Sequence, residues 1–141
     1  MAHSRSRETK VPPDQVWRIW SDTSTWAKWN PDVLSVSLDG PFATGTTGEM
    51  RTKAGGKHRI RLEGVEPGRR FRLETAVLPA SKFSFRCEVA PAEGGSRISQ
   101  AIAIGGALGP VFSVVMGERI ASSFVPLLDG LANYAEANAR A

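Results

Sequence analysis

The spacing of apolar residues changes along this 141-residue chain, and the change constrains the fold more than any other feature. From 33 to 103, apolar and polar residues alternate, as at Phe83, Phe85 and Cys87, which predicts strands with one face in water. From Pro110 onward, apolar residues recur every three or four positions, which predicts an amphipathic helix. A sheet with one apolar face needs a cover, so we expect this helix to pack on it.

Turn residues divide the alternating region into six predicted strands. In the first, Val33–Leu38, the apolar residues Leu34, Val36 and Leu38 are expected on one face. The other strands are predicted at 46–53, around 58–62, and at 71–77, 83–89 and 98–104. Short Gly and Pro turns between consecutive strands favour an antiparallel meander. With a polar strand before the first helix, the sheet has about seven strands.

All four tryptophans fall within 17–29. Pro12-Pro13-Asp14 predicts a helix start before them, and Asn30-Pro31 predicts the end of the second of two short helices. Trp17 and Trp20 are three apart, as are Trp26 and Trp29, so two short helices carry four rings toward one place. Such a cluster either closes a hydrophobic core or forms the wall of a cavity for an apolar guest.

The predicted C-terminal helix contains residues that oppose helix formation. Pro126 removes one backbone hydrogen bond, so we expect a kink near Ser122. Gly117 and Gly130 lower the intrinsic stability of the helix further. We therefore expect packing on the sheet, rather than propensity, to hold it.

Composition indicates one ordinary globular domain covering 1–141. Hydrophobic residues make up 41% and charged residues 23% of the chain, close to globular averages. No apolar run approaches the ~20 residues of a membrane span. No apolar stretch follows the basic N-terminus, so a secretory signal is not expected and a cytoplasmic location is the default.

The net charge of +4 raises the question of acidic partners. The densest basic group is expected on the outward face of two neighbouring strands and consists of Arg59, Arg61, Arg69, Arg70 and Arg72. It could contact RNA or an acidic protein. Glutamates are interleaved with these bases, which favours a solvated outer face, and no nucleic-acid partner is expected.

Motifs for metal, cofactor or covalent chemistry are absent from the sequence. Cys87 is the single cysteine, so it can form no internal disulfide, and its place in a strand pattern predicts a buried, inert thiol. His3 and His58 are far apart and match no ligand spacing. No serine lies in a nucleophile elbow and no phosphate-binding loop is present. We expect no metal and no cofactor.

Several segments together resemble a known superfamily. They are Val11-Pro12-Pro13-Asp14-Gln15-Val16-Trp17, Trp26-Ala27-Lys28-Trp29-Asn30-Pro31, the Gly-Gly-Ser-Arg-Ile stretch from Gly94 and the Gly-Ala-Leu-Gly-Pro stretch from Gly106. With the order of elements, the chain resembles the polyketide cyclase/dehydrase-like branch (SRPBCC) of the START-related, birch-pollen-allergen-like helix-grip proteins. The resemblance implies an α+β fold in which a curved antiparallel sheet wraps around a long C-terminal helix. It also implies a deep cavity between them, and it identifies no reaction.

A cavity is also expected on physical grounds, because a strongly curved sheet cannot seat one straight helix flush along its whole face. Side chains must fill the remaining space or leave it to a ligand. The candidate ligand-binding residues are Trp29, His58, Phe71, Leu73, Phe83, Phe85, Gln100, Ile102, Met116, Ile120 and Phe124. Thr75, His58 and Gln100 are the polar groups expected inside, and each needs a partner, a water or a guest.

Each singled-out residue has a functional and a structural interpretation. His58 is the only candidate acid or base, but it could simply lie at the rim. Gln100 could orient a ligand carbonyl or bond to a neighbouring strand. Met116 could line the cavity or belong to the core. Trp29 and Asn30 lie where a loop could gate the opening.

The leading hypothesis is a binding protein for a small hydrophobic or aromatic molecule, lipid-like or polyketide-like, held between sheet and helix. The first alternative is a cyclase or dehydratase in which His58 or a bound water moves protons. The second is a protein-interaction module that uses the basic outer strands. The sequence leaves monomer and homodimer equally open.

Overall fold

The computed structural model describes residues 3–75 and 81–138. The strands are β1 (His3–Thr9), β2 (Val33–Leu38), β3 (Thr47–Thr52), β4 (Lys57–Glu66), β5 (Arg70–Thr75), β6 (Lys82–Ala92) and β7 (Gly95–Gly105). The helices are α1 (Pro13–Ser21), α2 (Trp26–Trp29), α3 (Gly109–Ser122) and α4 (Phe124–Asn138), with a 3₁₀ helix (Thr23–Thr25) before α2. The predicted α+β architecture is confirmed. Positions 76 and 77 of the strand predicted at 71–77 lie outside the described residues.

All seven strands form one antiparallel sheet in the order β1-β7-β6-β5-β4-β3-β2. Strands β2 to β7 therefore follow one another as a meander, and β1 joins the edge beside β7. Alternation places one set of side chains on the inner face, where Phe71, Phe83 and Ile98 are buried. Arginines and glutamates occupy the other face, as predicted.

The prediction that Leu34 shares one face with Val36 and Leu38 is wrong. The register of β2 against β3 shifts between Val33 and Ser35, which marks a β-bulge. A bulge inserts one residue and reverses the alternation beyond it. Val33 is therefore buried, whereas Leu34 is 55% exposed. Val36 and Leu38 pack against the core as expected.

The C-terminal helix is divided in two, which confirms the kink predicted near Ser122. α3 ends at Ser122 and α4 begins at Phe124. The Ser123 N–H bonds back to the Ile120 carbonyl at 3.0 Å. Pro126, in the first turn of α4, has no N–H to donate, and its ring would clash with the carbonyl four residues earlier in a continuous helix. The chain turns at Ser123 instead.

Both halves of the helix pack on the sheet. α3 lies on β7 and β1, while α4 lies on β1, β7 and α2. By length and hydropathy alone, Gly109–Asn138 could cross a membrane. However, it is interrupted at Ser123, and α4 buries Phe124, Leu127 and Leu131 within the fold. α4 is therefore a packing helix of the core, whereas α3 exposes Val111, Val114 and Val115.

Gly130 allows α4 to approach α2. A β-carbon built at position 130 would overlap the backbone carbonyl oxygen of Trp29. Backbone cannot turn aside as a side chain can, so any larger residue at 130 would separate the two helices. The position of Trp29 thus depends on glycine at this point.

We predict that Gly130→Ala destabilises the protein by about 2 kcal/mol, although alanine favours helix formation by about 1 kcal/mol over glycine. Urea unfolding measures the change. Gly117→Ala is the matched control, because the obstacle there is the side-chain ring of His3, which can rotate away. An alanine at 130 that is tolerated as well as one at 117 would contradict the close packing of α2 and α4.

Candidate functional site

A cavity of about 240 Å³ lies between the inner face of the sheet, α2 and the junction of α3 with α4. The sheet contributes Ile60, Phe71 and Leu73 to its lining, and the helices contribute side chains from both sides of the break at Ser123. The cavity therefore lies where the C-terminal helix changes direction. Its lining is mostly apolar, as is usual for small-molecule sites.

One wall of the cavity is an aromatic cluster centred on Phe71. The centroid of this ring lies 5.4 Å from that of Trp20, 6.0 Å from Trp17, 6.2 Å from Trp26 and 5.0 Å from Phe42. Most of these pairs meet edge to face, the favourable geometry for aromatic rings. The cluster joins α1 and α2 to β5.

The four tryptophans divide between packing in the core and lining the cavity. Trp20, Trp26 and Trp29 are buried and line the cavity. Trp17 does not line it, and its ring packs instead on Phe42 at 5.7 Å. The cluster is thus a core whose inner surface is a cavity wall.

Local hydrogen bonds fix the orientation of two indoles. Trp26 Nε1 donates to the Trp20 carbonyl at 2.9 Å, and Trp29 Nε1 donates to Thr25 Oγ1 at 3.1 Å. Thr25 Oγ1 in turn donates to the Asp22 carbonyl at 2.8 Å. Because these partners all belong to the segment that carries the rings, the wall is held independently of any ligand.

Trp20 differs from Trp26 and Trp29 in the hydrogen bonding of its indole N–H. Its Nε1 is buried and has no hydrogen-bond partner among the described residues. An unpaired buried donor costs about 1–3 kcal/mol. The ring contacts with Trp17 and Phe71 and the burial of the whole indole offset that cost.

Gln100 is the most deeply buried polar side chain of the cavity, with 8% exposure. Its Oε1 lies 3.7 Å from Cys87 Sγ, a weak hydrogen bond from the thiol. No hydrogen bond in the described part of the chain uses its amide nitrogen. Thr75, another polar residue of the lining, has a backbone partner, because its hydroxyl donates a hydrogen bond to the Arg59 carbonyl at 2.9 Å.

Cys87 is buried in the cavity wall, as predicted. Burial, assisted by the negative charge of Glu88, raises the pKa of the Cys87 thiol far above its ordinary value. The thiol therefore stays protonated near neutral pH and is a poor nucleophile. Among the described residues, no group of three His, Cys, Asp or Glu could hold a metal ion.

Polar groups mark the side where the cavity meets solvent. His58, Asn30 and Thr52 are half-buried lining residues, and Asp32 is exposed. No hydrogen bond within the described residues uses the His58 ring, so both nitrogens are available to a ligand or water. The location of His58 at the rim agrees with the structural interpretation, and its contact with the cavity keeps the functional one open.

The structure brings eight of the eleven candidate residues together around the cavity. They are Trp29, His58, Phe71, Leu73, Phe85, Gln100, Ile120 and Phe124. Phe83, Ile102 and Met116 do not border the cavity. Phe83 and Ile102 are buried in the core at 3% and 1% exposure. Met116 is half-buried on α3, away from the cavity.

The sequence interpretation missed further lining residues, including Asp32, Met50, Ile60 and Leu127. Ile60 and Leu127 carried a usable signal, since both lie on the predicted inner face of a strand or helix. Asp32 carried none beyond its place after the turn at Asn30-Pro31. Its proximity to the cavity depends on how α2 docks against α4, which is a tertiary property.

A family model described as "Polyketide cyclase / dehydrase and lipid transport" matches residues 2–136. No curated protein matches the chain. Among solved structures, the crystal structure of Ara h 8.0201 superimposes with a TM-score of 0.77 at 12% identity, covering 97% of this chain and 98% of the other.

Two bacterial proteins share the same fold. TTHA0849 from Thermus thermophilus matches with a TM-score of 0.74 at 16% identity, covering 98% of this chain and 99% of its own. Protein CV1439 from Chromobacterium violaceum matches with a TM-score of 0.69 at 22% identity, covering 96% of each chain. The solved structures show the same fold, and because the family model spans almost the whole sequence, the chain belongs to the polyketide cyclase/dehydrase and lipid transport family.

Proposed function

We propose that the protein binds one small hydrophobic molecule with one or two rings in the cavity beneath the helix break. The observation that carries this proposal is an apolar, aromatic-walled space with a single buried amide whose nitrogen is unpaired. A ligand would remove apolar surface from water and give Gln100 a partner in the same step.

The cavity volume limits the size of the ligand. An apolar protein cavity of about 150 Å³ accommodates benzene, so by proportion 240 Å³ accommodates about ten non-hydrogen atoms. Two fused rings fit this limit, whereas a long acyl chain would have to extend past His58 and Asp32 into solvent. Of the lipid-like and polyketide-like ligands expected from the sequence, compact ring systems are therefore favoured.

The polar groups favour a ligand that carries a hydrogen-bond acceptor. Gln100 already uses Oε1 to accept from Cys87, so its amide offers N–H donors to the cavity. A carbonyl oxygen would accept such a bond, whereas a hydrocarbon would leave the buried amide unpaired. A ligand of this size binds with about 6 kcal/mol, which corresponds to a Kd of roughly 10–100 µM.

Two ligands that differ by one oxygen test the role of Gln100. We expect wild-type protein to bind the bicyclic ketone 1-tetralone about tenfold more tightly than the hydrocarbon tetralin, measured by quenching of tryptophan fluorescence. Gln100→Met, which keeps the length of the side chain without the amide, should remove that preference and leave tetralin binding intact. A preference that survives in Gln100→Met would show that another group holds the carbonyl.

Filling the cavity tests its location. Ile120→Phe adds a ring to a lining position at the end of α3 and should weaken 1-tetralone binding at least tenfold, because the added volume occupies the ligand's space. Val115→Phe makes the same kind of change on the same helix at a side chain that is 71% exposed, and it should bind like wild type. Calorimetry measures both affinities, and equal binding by the two variants would contradict the site.

Ring closure of a linear substrate is the second candidate function. His58 and Asp32, an imidazole and a carboxylate, both line the open side of the cavity, where they could move protons during cyclisation or dehydration. The cavity would fold the chain so that its reacting carbons approach each other.

This alternative predicts that the protein accelerates cyclisation of a linear poly-β-ketone above the rate in buffer. His58→Gln should lower kcat about 10²-fold while 1-tetralone binding changes less than threefold. Lys57→Gln, at the neighbouring exposed position, is the control and should retain wild-type kcat. Absorbance of the aromatic product follows the reaction, and a wild-type rate equal to that in buffer would exclude this function for that substrate.

A further inference from the structure

Charged residues on the outer face of the sheet, opposite the cavity, are paired almost throughout. Each carboxylate of β4, β5 and β6 on this face has a basic partner from the same face. The pairs are Glu63 with Arg61, Glu66 with Arg70 at 3.4 Å, Glu74 with Lys82 at 2.9 Å, and Glu88 with Arg86 at 3.9 Å. These carboxylates are therefore already occupied by other bases.

Arg72, in the middle of this face, is the exception. It forms no ion pair with any described residue, and its Nε is buried without a hydrogen-bond partner. Its direct neighbour across the β5–β6 ladder is another arginine, Arg86. Two like charges at opposite positions of an antiparallel pair repel each other, and the unpaired Nε–H adds a desolvation cost. The negative charge of Glu74 compensates part of the Arg72 charge, but it leaves the Nε–H without an acceptor.

A depression of about 200 Å³ adjoins the Arg72 guanidinium and is lined by Gly64, Glu66, Arg70, Phe71, Arg72 and Arg86. Gly64 forms its floor in a left-handed backbone conformation, with φ of 55°, where the register of β4 against β5 shifts between Glu63 and Glu66. A β-carbon at 64 would already contact the guanidinium at 3.8 Å. That distance is an ordinary van der Waals contact, so it is the positive φ that favours glycine at this position.

We propose that this depression is a binding site for a small phosphate-bearing molecule, with Arg72 and Arg86 as its two principal ligands. Guanidinium groups present paired N–H donors that match the oxygens of a phosphate. A phosphate with nearly two negative charges and three acceptor oxygens can bridge the terminal N–H groups of both arginines.

Phosphate fits these residues better than a carboxylate. Glu63 lies directly opposite Arg72 in the β4–β5 ladder, yet it pairs with Arg61. A monocarboxylate carries one charge and two acceptor oxygens, so it bridges two guanidinium groups less well than a phosphate does, and Glu88 already lies 3.9 Å from Arg86. Arg72 projects from the opposite face of β5 to Leu73, and Phe71 borders both the depression and the cavity.

Titration of the protein with inorganic phosphate, observed through the Nε–H signals of ¹⁵N-labelled arginine, tests the proposal. At constant ionic strength, we expect saturable shifts of the Arg72 and Arg86 signals with one common Kd of about 1 mM and at least tenfold weaker binding of acetate. Arg72→Gln should abolish the phosphate-dependent shift at Arg86. Arg97→Gln removes another arginine of the sheet, paired with Glu8 at 3.1 Å, and should leave the response unchanged.

Thermal unfolding provides a second measurement. Phosphate should raise the Tm of wild type and of Arg97→Gln but not that of Arg72→Gln, while without phosphate Arg72→Gln should be at least as stable as wild type. If Arg72→Gln fails to fold, Arg86→Gln tests the same site. Equal phosphate responses in Arg72→Gln and Arg97→Gln, or shifts that never saturate, would overturn the proposal.

Discussion

The contact of Phe71 with the tryptophan segment is the interaction on which the site depends. Phe71 projects from β5 into the rings of Trp17, Trp20 and Trp26, and so attaches α1 and α2 to the sheet. α1 and α2 have nine and four residues, too short to be stable alone in water. Burial of their indoles against this strand supplies the stability that their length cannot, and the same contact places Trp20 and Trp26 in the cavity wall.

The cavity exists because the covering helix cannot fill the space above the sheet. Pro126 stops a continuous hydrogen-bond ladder, so α3 and α4 take different directions over the strands. Close approach is allowed on one side, where Gly130 meets the Trp29 backbone. At the junction the side chains of Ile120, Ser123 and Phe124 border the empty volume. Pro126, which interrupts the helix, and Gly130, which permits close approach to α2, thus together produce tight packing against α2 and an open space at the junction of α3 with α4.

The sequence was sufficient to predict the strands, the helices and the face of each that points inward. It was not sufficient to predict which of the inward side chains border the cavity. Alternation assigns a side chain to a face and says nothing about which part of that face the helix covers. Phe83 and Ile102 share the inner face with Phe85 and Gln100, but they are packed into the core, whereas Phe85 and Gln100 reach the cavity. The bulge that exposes Leu34 also lacks a sequence signal, because no glycine or proline marks it.

Gln100 and Arg72 illustrate how a polar side chain without a full set of hydrogen-bond partners can indicate a binding site. A methionine or leucine at 100 would fill similar space without an unpaired amide, and a glutamine at 72 would avoid a charge facing Arg86. Arg72 Nε is buried without a partner, and the Gln100 amide nitrogen forms no hydrogen bond in the described part of the chain. Sites that break local rules without compensation in the folded chain are where a ligand is expected to provide it. Because the two side chains lie on opposite faces of the sheet, a neutral ring system on one side and a phosphate on the other can each be tested without disturbing the other.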